Sequence, residues 1–190
     1  MKPEQLVTFL HQIEALKYTF RHSWTSFGNR ETVAEHSWRL AVMALLLREE
    51  FPELEMGKVI EMCLIHDFGE AVTGDIPSFD KTQSDEQKEW KGLMELLKQL
   101  PSKEKSRFLE LFQEMEERKS PEAKLVKALD QLEAVCQHNE ADLSTWIDLE
   151  YTLNAVYGKE TAQAFPYTQK LQEVLSAESE EKIKAGRSRK

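Results

Sequence analysis

The chain of 190 residues is 41% apolar and 31% charged, long enough to bury a core of its own and too mixed to be a disordered acidic polymer. Its net charge is −9, and residues 179–190 are basic, so the rest of the chain is more acidic still and a poor match for the phosphates of a nucleic-acid polymer. No stretch approaches the ~18 uncharged apolar residues of a membrane-crossing helix, and the opening MKPEQLVTFLHQIE does not read as a signal peptide.

The first predicted helix spans Pro3 to Lys17, with Leu6, Phe9, Leu10, Ile13 and Leu16 recurring at three and four. Tyr18 to Glu31 reads as irregular. A second helix begins at Thr32, where TVAE forms a capping box with Glu35 at the third position, and runs to about Glu50. A third covers Met56 to Phe68 and stops near Gly69. The segment GEAVTGDIPSFD reads as a loop broken by Gly74 and Pro77. A fourth helix is expected from Ser84, with SDEQ as its capping box, to Pro101. A fifth runs from Ser102 to about Arg118. Ser120 caps a sixth, from Pro121 to His138. One or two more helices fill Ser144 to Ser176. No run alternates with period two, so the chain reads as nearly all α: one domain over 1–178 and a flexible basic tail over 179–190. Cys63 and Cys136 sit in apolar helical patterns and predict reduced thiols in an intracellular, cytoplasmic chain.

Two histidines point inward. His36 shares a stripe with Leu40, Met43 and Leu47, and His66 one with Val59, Met62 and Cys63. Taken singly, each reads best as a hydrogen-bonded core histidine. Asp67 changes that balance, because a carboxylate beside two inward histidines needs a cation or a metal. Asp130 lies at the edge of the stripe Leu125, Leu129, Leu132 and Cys136. A helical wheel places Glu133 nearer the centre of that stripe, so pattern alone does not choose Asp130.

The series His36, His66-Asp67 and Asp130 resembles the H…HD…D signature of the HD-domain metal-dependent phosphohydrolases. The blocks VAEHSWRLAVMALLL, LIHDFGEAVTGDIPSFDK and SPEAKLVKALDQLEA are similar to those of the 5′-deoxynucleotidase branch. The similarity runs from about Phe9 to Asn139, and its HDxxEAxxGD element is far more specific than the HD pair. The segment TSFGNRETVAE is slightly shorter than the family's loop, and His22 and Ser23 separate Arg21 from Trp24 where some members place Arg and Trp together.

The resemblance implies an all-α HD-domain helical bundle around a single divalent metal (Mn, Co, Fe, Zn or Mg). His36, His66, Asp67 and Asp130 would be the ligands. Two imidazoles and two carboxylates are a mixed N/O set suited to such ions, and four ligands leave positions open for water and a phosphate oxygen. Glu70 and Asp75 match the family's catalytic acidic pair, Glu70 steering water onto phosphorus and Asp75 assisting the leaving 5′-oxygen. Arg21 would bind phosphate and Trp24 the sugar or base. The implied reaction hydrolyses deoxyribonucleoside 5′-monophosphates to deoxynucleoside and phosphate. The implied partner is a small-molecule nucleotide, with no nucleic-acid polymer and no membrane, and a homodimer is plausible by analogy. Two rivals remain: an HD-type hydrolase of nucleotide pyrophosphates or triphosphates, and a non-catalytic metal-binding helical adaptor. The first is disfavoured because only Arg21, Arg30 and Arg39 lie near the motifs.

Overall fold

The computed structural model describes residues 1–187. Helix α1 (Pro3–Ile13) starts on its first-turn proline and buries Phe9, and a 3₁₀ turn (Glu14–Lys17) carries it to the predicted end. The segment expected to be irregular instead holds an antiparallel hairpin, β1 (Phe20–Trp24) and β2 (Arg30–Thr32). Its turn closes through Thr25 N donating to Asn29 O at 2.8 Å, with Gly28 at φ +82° supplying the left-handed residue. The strands escape a pattern search because they are short and irregular in register, and because Arg21, Ser23 and Glu31 occupy positions where apolar residues would signal burial.

Helix α2 (Val33–Leu46) begins as its sequence dictates. Thr32 Oγ1 accepts from Glu35 N at 3.2 Å, and Glu35 Oε2 accepts from Thr32 N at 2.7 Å. It ends earlier than predicted, and Arg48–Glu50 form a separate 3₁₀ turn.

Helix α3 (Met56–Ile65) also stops short. Beyond it the backbone tightens, with Phe68 N, Glu70 N, Ala71 N and Val72 N each donating to the carbonyl three residues back, and a short helix α4 (Glu70–Thr73) follows. Three residues per turn eclipse side chains at i and i+3. Glu70 therefore stacks on Asp67, not on His66 as a continuous α-helix would have it. Two glycines let this turn lie against α5 (Gln83–Leu97). A Cβ on Gly69 would meet Glu89 O at 3.0 Å, and one on Gly92 would meet Val72 Cβ at 3.0 Å. The α5 cap is Thr82 rather than Ser84, because Thr82 N and Oγ1 both donate to Asp85 Oδ2, at 3.2 and 2.6 Å.

Helix α6 (Ser102–Glu117) ends on Arg118 at φ 51°, and α7 (Pro121–Glu140) starts from Ser120, whose hydroxyl accepts from Ala123 N at 3.2 Å. The chain then forms a 3₁₀ turn, α8 (Glu150–Leu153), α9 (Lys159–Ala162) and α10 (Pro166–Arg187). The tail expected from Ser179 is thus helical as far as Arg187. Leu175, Ser179 and Ile183, four apart, are all buried, and Lys182 Nζ donates to Asn139 O at 2.9 Å. Residues 188–190 of that expected tail lie outside the described residues.

Helix α7 is the axis of the bundle, packed on α2, α3, α6, α9, α10 and β1. Leu125 and Leu129 enter the main core with Leu40, Val59, Met62 and Leu97, and Leu132 and Val135 enter a second cluster with Ala162 and Leu175. Each such fully buried side chain contributes roughly 1.5–3 kcal/mol. A helix apolar on two sides is surrounded by protein, so its Asp130 and Glu133 must be paired.

Candidate active site

Three elements bring four of the predicted residues together. The first turn of α2 supplies His36, the tight turn after α3 supplies His66 and Asp67, and the middle of α7 supplies Asp130. His36 Nε2 lies 3.3 Å from His66 Nε2 and 3.2 Å from Asp130 Oδ1. His66 Nε2 lies 3.0 Å from Asp67 Oδ2 and 3.8 Å from Asp130 Oδ1. His36, His66 and Asp67 each place a donor atom within 4.8 Å of the other two.

Hydrogen bonds set the tautomers. The Nδ1–H of His36 donates to Glu133 Oε2 in a very short contact, and the Nδ1–H of His66 donates to Cys63 O at 2.9 Å. In neutral rings both Nε2 atoms are lone pairs that face each other and two carboxylates, a set that a cation between them would complete. Without that cation a proton on His36 supplies the positive charge. Burial and Arg21 both disfavour a charged His36, yet its bonds to Asp130 and Glu133 outweigh them and raise its pKa to about 9. Asp130 is held well below the usual carboxylate range, the cost of its burial outweighed by Lys127, His36 and His66. The cluster is one that takes up positive charge, and its donor set fits a divalent metal.

Glu133 joins the cluster at a position that pattern reading left open. It is fully buried, orients His36, and accepts from Arg39 Nε at 2.5 Å. Such a carboxylate–histidine pair fixes the ring and raises its basicity toward a metal. Replacing Glu133 by Gln removes that charge and weakens metal affinity by about 10- to 100-fold in a competition titration; unchanged affinity would remove the orienting role. Glu31 is a second such residue: its carboxylate accepts from Ser23 Oγ at 2.5 Å and meets Arg21 Nε at 3.3 Å. Glu31, His36 and Glu133 also lie within 4.8 Å of one another, but these oxygens already have partners in Ser23, Arg21, Arg39 and the His36 N–H.

A cavity of about 580 Å³ opens beside the cluster and is lined by Arg21, Asp67, Glu70, Asp75 and Asp130 among others. Arg21 Nη1 lies 3.6 Å from Asp67 Oδ2, so its guanidinium is anchored by Glu31 and aimed at the HD turn. Glu70 is buried, and its Oε2 has no hydrogen-bond partner. Burial, followed by the charges of Asp67, Asp75 and Glu89, pushes its carboxyl up to about 11. Asp75, after the left-handed Gly74, is raised by burial and Asp67 against the pull of Arg21 and Lys81.

Trp24 is not brought to this cavity. It sits at the end of β1 beside the hairpin turn, and its carbonyl accepts from Gln137 Nε2 at 2.6 Å. His22 lines the cavity instead, as does His138. The basic residues differ as well. Arg39 is tied to Glu133 and Glu140, and Arg30 lies over the Phe20 ring, whereas Lys81, Arg118 and Lys127 line the cavity.

The profile of the HD domain family matches residues 13–172 of this chain. The chain belongs to the HD-domain family. Among curated HD-domain relatives it is 30% identical over 181 residues to human 5′-deoxynucleotidase HDDC2, covering 92% of this chain and 85% of the relative. It is 34% identical over 139 residues to the Bos taurus protein of the same name, covering 71% and 67%. It is 29% identical to 5′-deoxynucleotidase hdd1 of Schizosaccharomyces pombe, covering 76% and 81%. Among solved structures, a predicted metal-dependent phosphohydrolase from Magnetospirillum magnetotacticum superposes with a TM-score of 0.81 at 27% identity, covering 96% of this chain and 93% of that one. A Pyrococcus furiosus conserved hypothetical protein gives 0.69 at 29%, covering 90% and 98%.

Proposed function

We propose that this HD-domain protein hydrolyses deoxyribonucleoside 5′-monophosphates to deoxynucleoside and phosphate. The observation that carries the reading is the convergence of His36, His66, Asp67 and Asp130 beside a cavity that is also lined by Arg21 and by Glu70, whose Oε2 has no hydrogen-bond partner. The deoxynucleotide as substrate follows from the names of the curated relatives.

In this mechanism the two Nε2 atoms and the carboxylates of Asp67 and Asp130 would hold a divalent metal, which when bound would supply Lewis-acid polarisation of the phosphoryl group and a more acidic water. Arg21, stiffened by Glu31, offers its guanidinium to the phosphate oxygens. Glu70, in its ionised form, takes a proton from the water that attacks phosphorus through the Oε2 that has no hydrogen-bond partner. Asp75, which lines the same cavity, donates a proton to the departing 5′-oxygen. Glu70 is buried and Asp75 half-buried.

A specific observation favours one rival: Lys81, Arg118 and Lys127 line the cavity, more positive charge than sequence proximity indicates. Two of the three are already neutralised. Lys127 pairs with Asp130 at 2.8 Å and Lys81 with Glu89, which leaves little for extra phosphates. A release assay on deoxy- and ribonucleoside mono- and triphosphates separates the readings. Inorganic phosphate from 5′-monophosphates is expected, with deoxy substrates preferred, and predominant pyrophosphate release from triphosphates would reject the first reading. On this reading the partner is a small nucleotide, not a nucleic-acid polymer or a membrane, the site of action is the cytoplasm, and a second copy of the chain is the expected protein partner.

A further inference from the structure

The cavity has a second polar end that the proposed hydrolysis does not use. Along α7, Asp130, Ala134 and His138 line it at four-residue intervals. Eight residues of helix span about 12 Å, the reach of an extended nucleotide from its phosphate to the far edge of its base. Strand β1 repeats the order: Arg21 reaches Asp67, and its neighbour His22 reaches Glu150.

The short helix α8 closes the far end. Its Glu150 and its C-cap Asn154 lie four residues apart and share a face. Both line the cavity and both are buried, with 2% and 4% of their surface exposed. Glu150 Oε2 accepts from Ile147 N at 2.8 Å. Its Oε1 and the Nδ2 of Asn154 have no hydrogen-bond partner. His22 Nε2 at 3.4 Å and His138 Nδ1 at 3.3 Å flank that oxygen without forming a hydrogen bond. Buried polar atoms rarely go unpaired, and an unpaired acceptor and an unpaired donor on two residues that line one cavity mark a place where a ligand completes the pairing.

We propose that Glu150 and Asn154 form a nucleobase subsite. Every nucleobase carries an N–H donor next to a ring-nitrogen or carbonyl acceptor. Glu150 Oε1 accepts the first, and Asn154 Nδ2 donates to the second. The sugar then lies over Ala134, whose methyl leaves room for it, and the phosphate reaches Arg21. Phe79, edge-on to His22 with centroids 6.0 Å apart, borders the base on one side. Ser78 Oγ and Tyr157 Oη, 2.8 Å apart, tie the loop after Asp75 to the segment that follows α8. This assignment rests on the nucleotide hydrolysis proposed above.

The test compares kcat/KM for deoxynucleoside 5′-monophosphates with that for 2-deoxyribose 5-phosphate, which has no base. The intact protein is expected to prefer the nucleotides. In Glu150→Gln, which keeps an oxygen for Ile147 N but turns the free acceptor into a donor, the ratio falls about 10-fold or more through KM. Asn154→Asp makes the reverse exchange, is expected to act in the same direction, and decides the matter if the first variant does not fold. An intact protein that hydrolyses both compounds equally, or variants that leave the ratio unchanged, would overturn the subsite and leave the hydrolase reading standing. Phosphate from neither compound would overturn the hydrolase reading and the subsite with it.

Discussion

Replacing Glu70 by Gln lowers turnover by about 10²-fold or more, the usual consequence of losing a general base, while the metal content of the protein stays intact. The separation of effects follows from the geometry. The tight turn at Phe68–Val72 stacks Glu70 over Asp67, facing the cavity but outside the histidine cluster, and its Oε2 has no protein partner to lose. Gln keeps the volume and removes the ability to accept a proton. Because burial and the charges of Asp67, Asp75 and Glu89 push the Glu70 carboxyl up to about 11, Gln replaces one neutral group by another at neutral pH, and the variant is expected to be about as stable as the parent. Parallel thermal melts, metal analysis and single-turnover assays check all three statements. Undiminished turnover in Glu70→Gln would remove the base from the mechanism.

Replacing His66 by Ala has the opposite signature: the metal is lost, and activity falls by about 10³-fold or more, since a Lewis acid supplies several kcal/mol of transition-state stabilisation. His66 holds the middle of the cluster, with contacts to His36 Nε2, Asp67 Oδ2 and Asp130 Oδ1. Its removal leaves two carboxylates in a largely buried site with Arg21, Lys127 and His36 as their remaining positive partners. Breaking such a buried set costs stability, and the bound ion's contribution to folding goes with it. A lower melting temperature that added metal fails to raise is therefore expected. Full metal occupancy in His66→Ala would show that the ligand assignment is wrong.

Several parts of this architecture were legible from local chemistry. The Thr32 and Glu35 capping box starts α2 one residue after the cap, and so fixes the phase that turns His36 inward. Ser120 and Pro121 do the same for α7 and Asp130. What stayed hidden depends on partners distant in the chain. The hairpin carries charged residues inward because Arg21 and Glu31 pair with each other, and no periodicity reports that. The switch to three residues per turn after Ile65 depends on Gly69 and Gly92 letting α5 approach, so the stacking of Glu70 on Asp67 was unreadable. The buried position of Glu133 was visible on a helical wheel. Its task was not, because the imidazole it orients lies on another helix. Trp24 was placed in the site by the resemblance alone, yet the strand ends there and His22 lines the cavity in its stead. The segment after Asp142 has short elements whose role emerges only when Glu150 and Asn154 are seen facing the cavity.

On the proposed reading, His36, His66, Asp67 and Asp130 hold one divalent ion beside the cavity. Anomalous diffraction from crystals grown with Mn²⁺ or Co²⁺ tests this without recourse to activity. One anomalous peak per chain, within bonding distance of both Nε2 atoms and of both carboxylates, is expected. No peak there at saturating metal, or a peak ligated by other side chains, would contradict it.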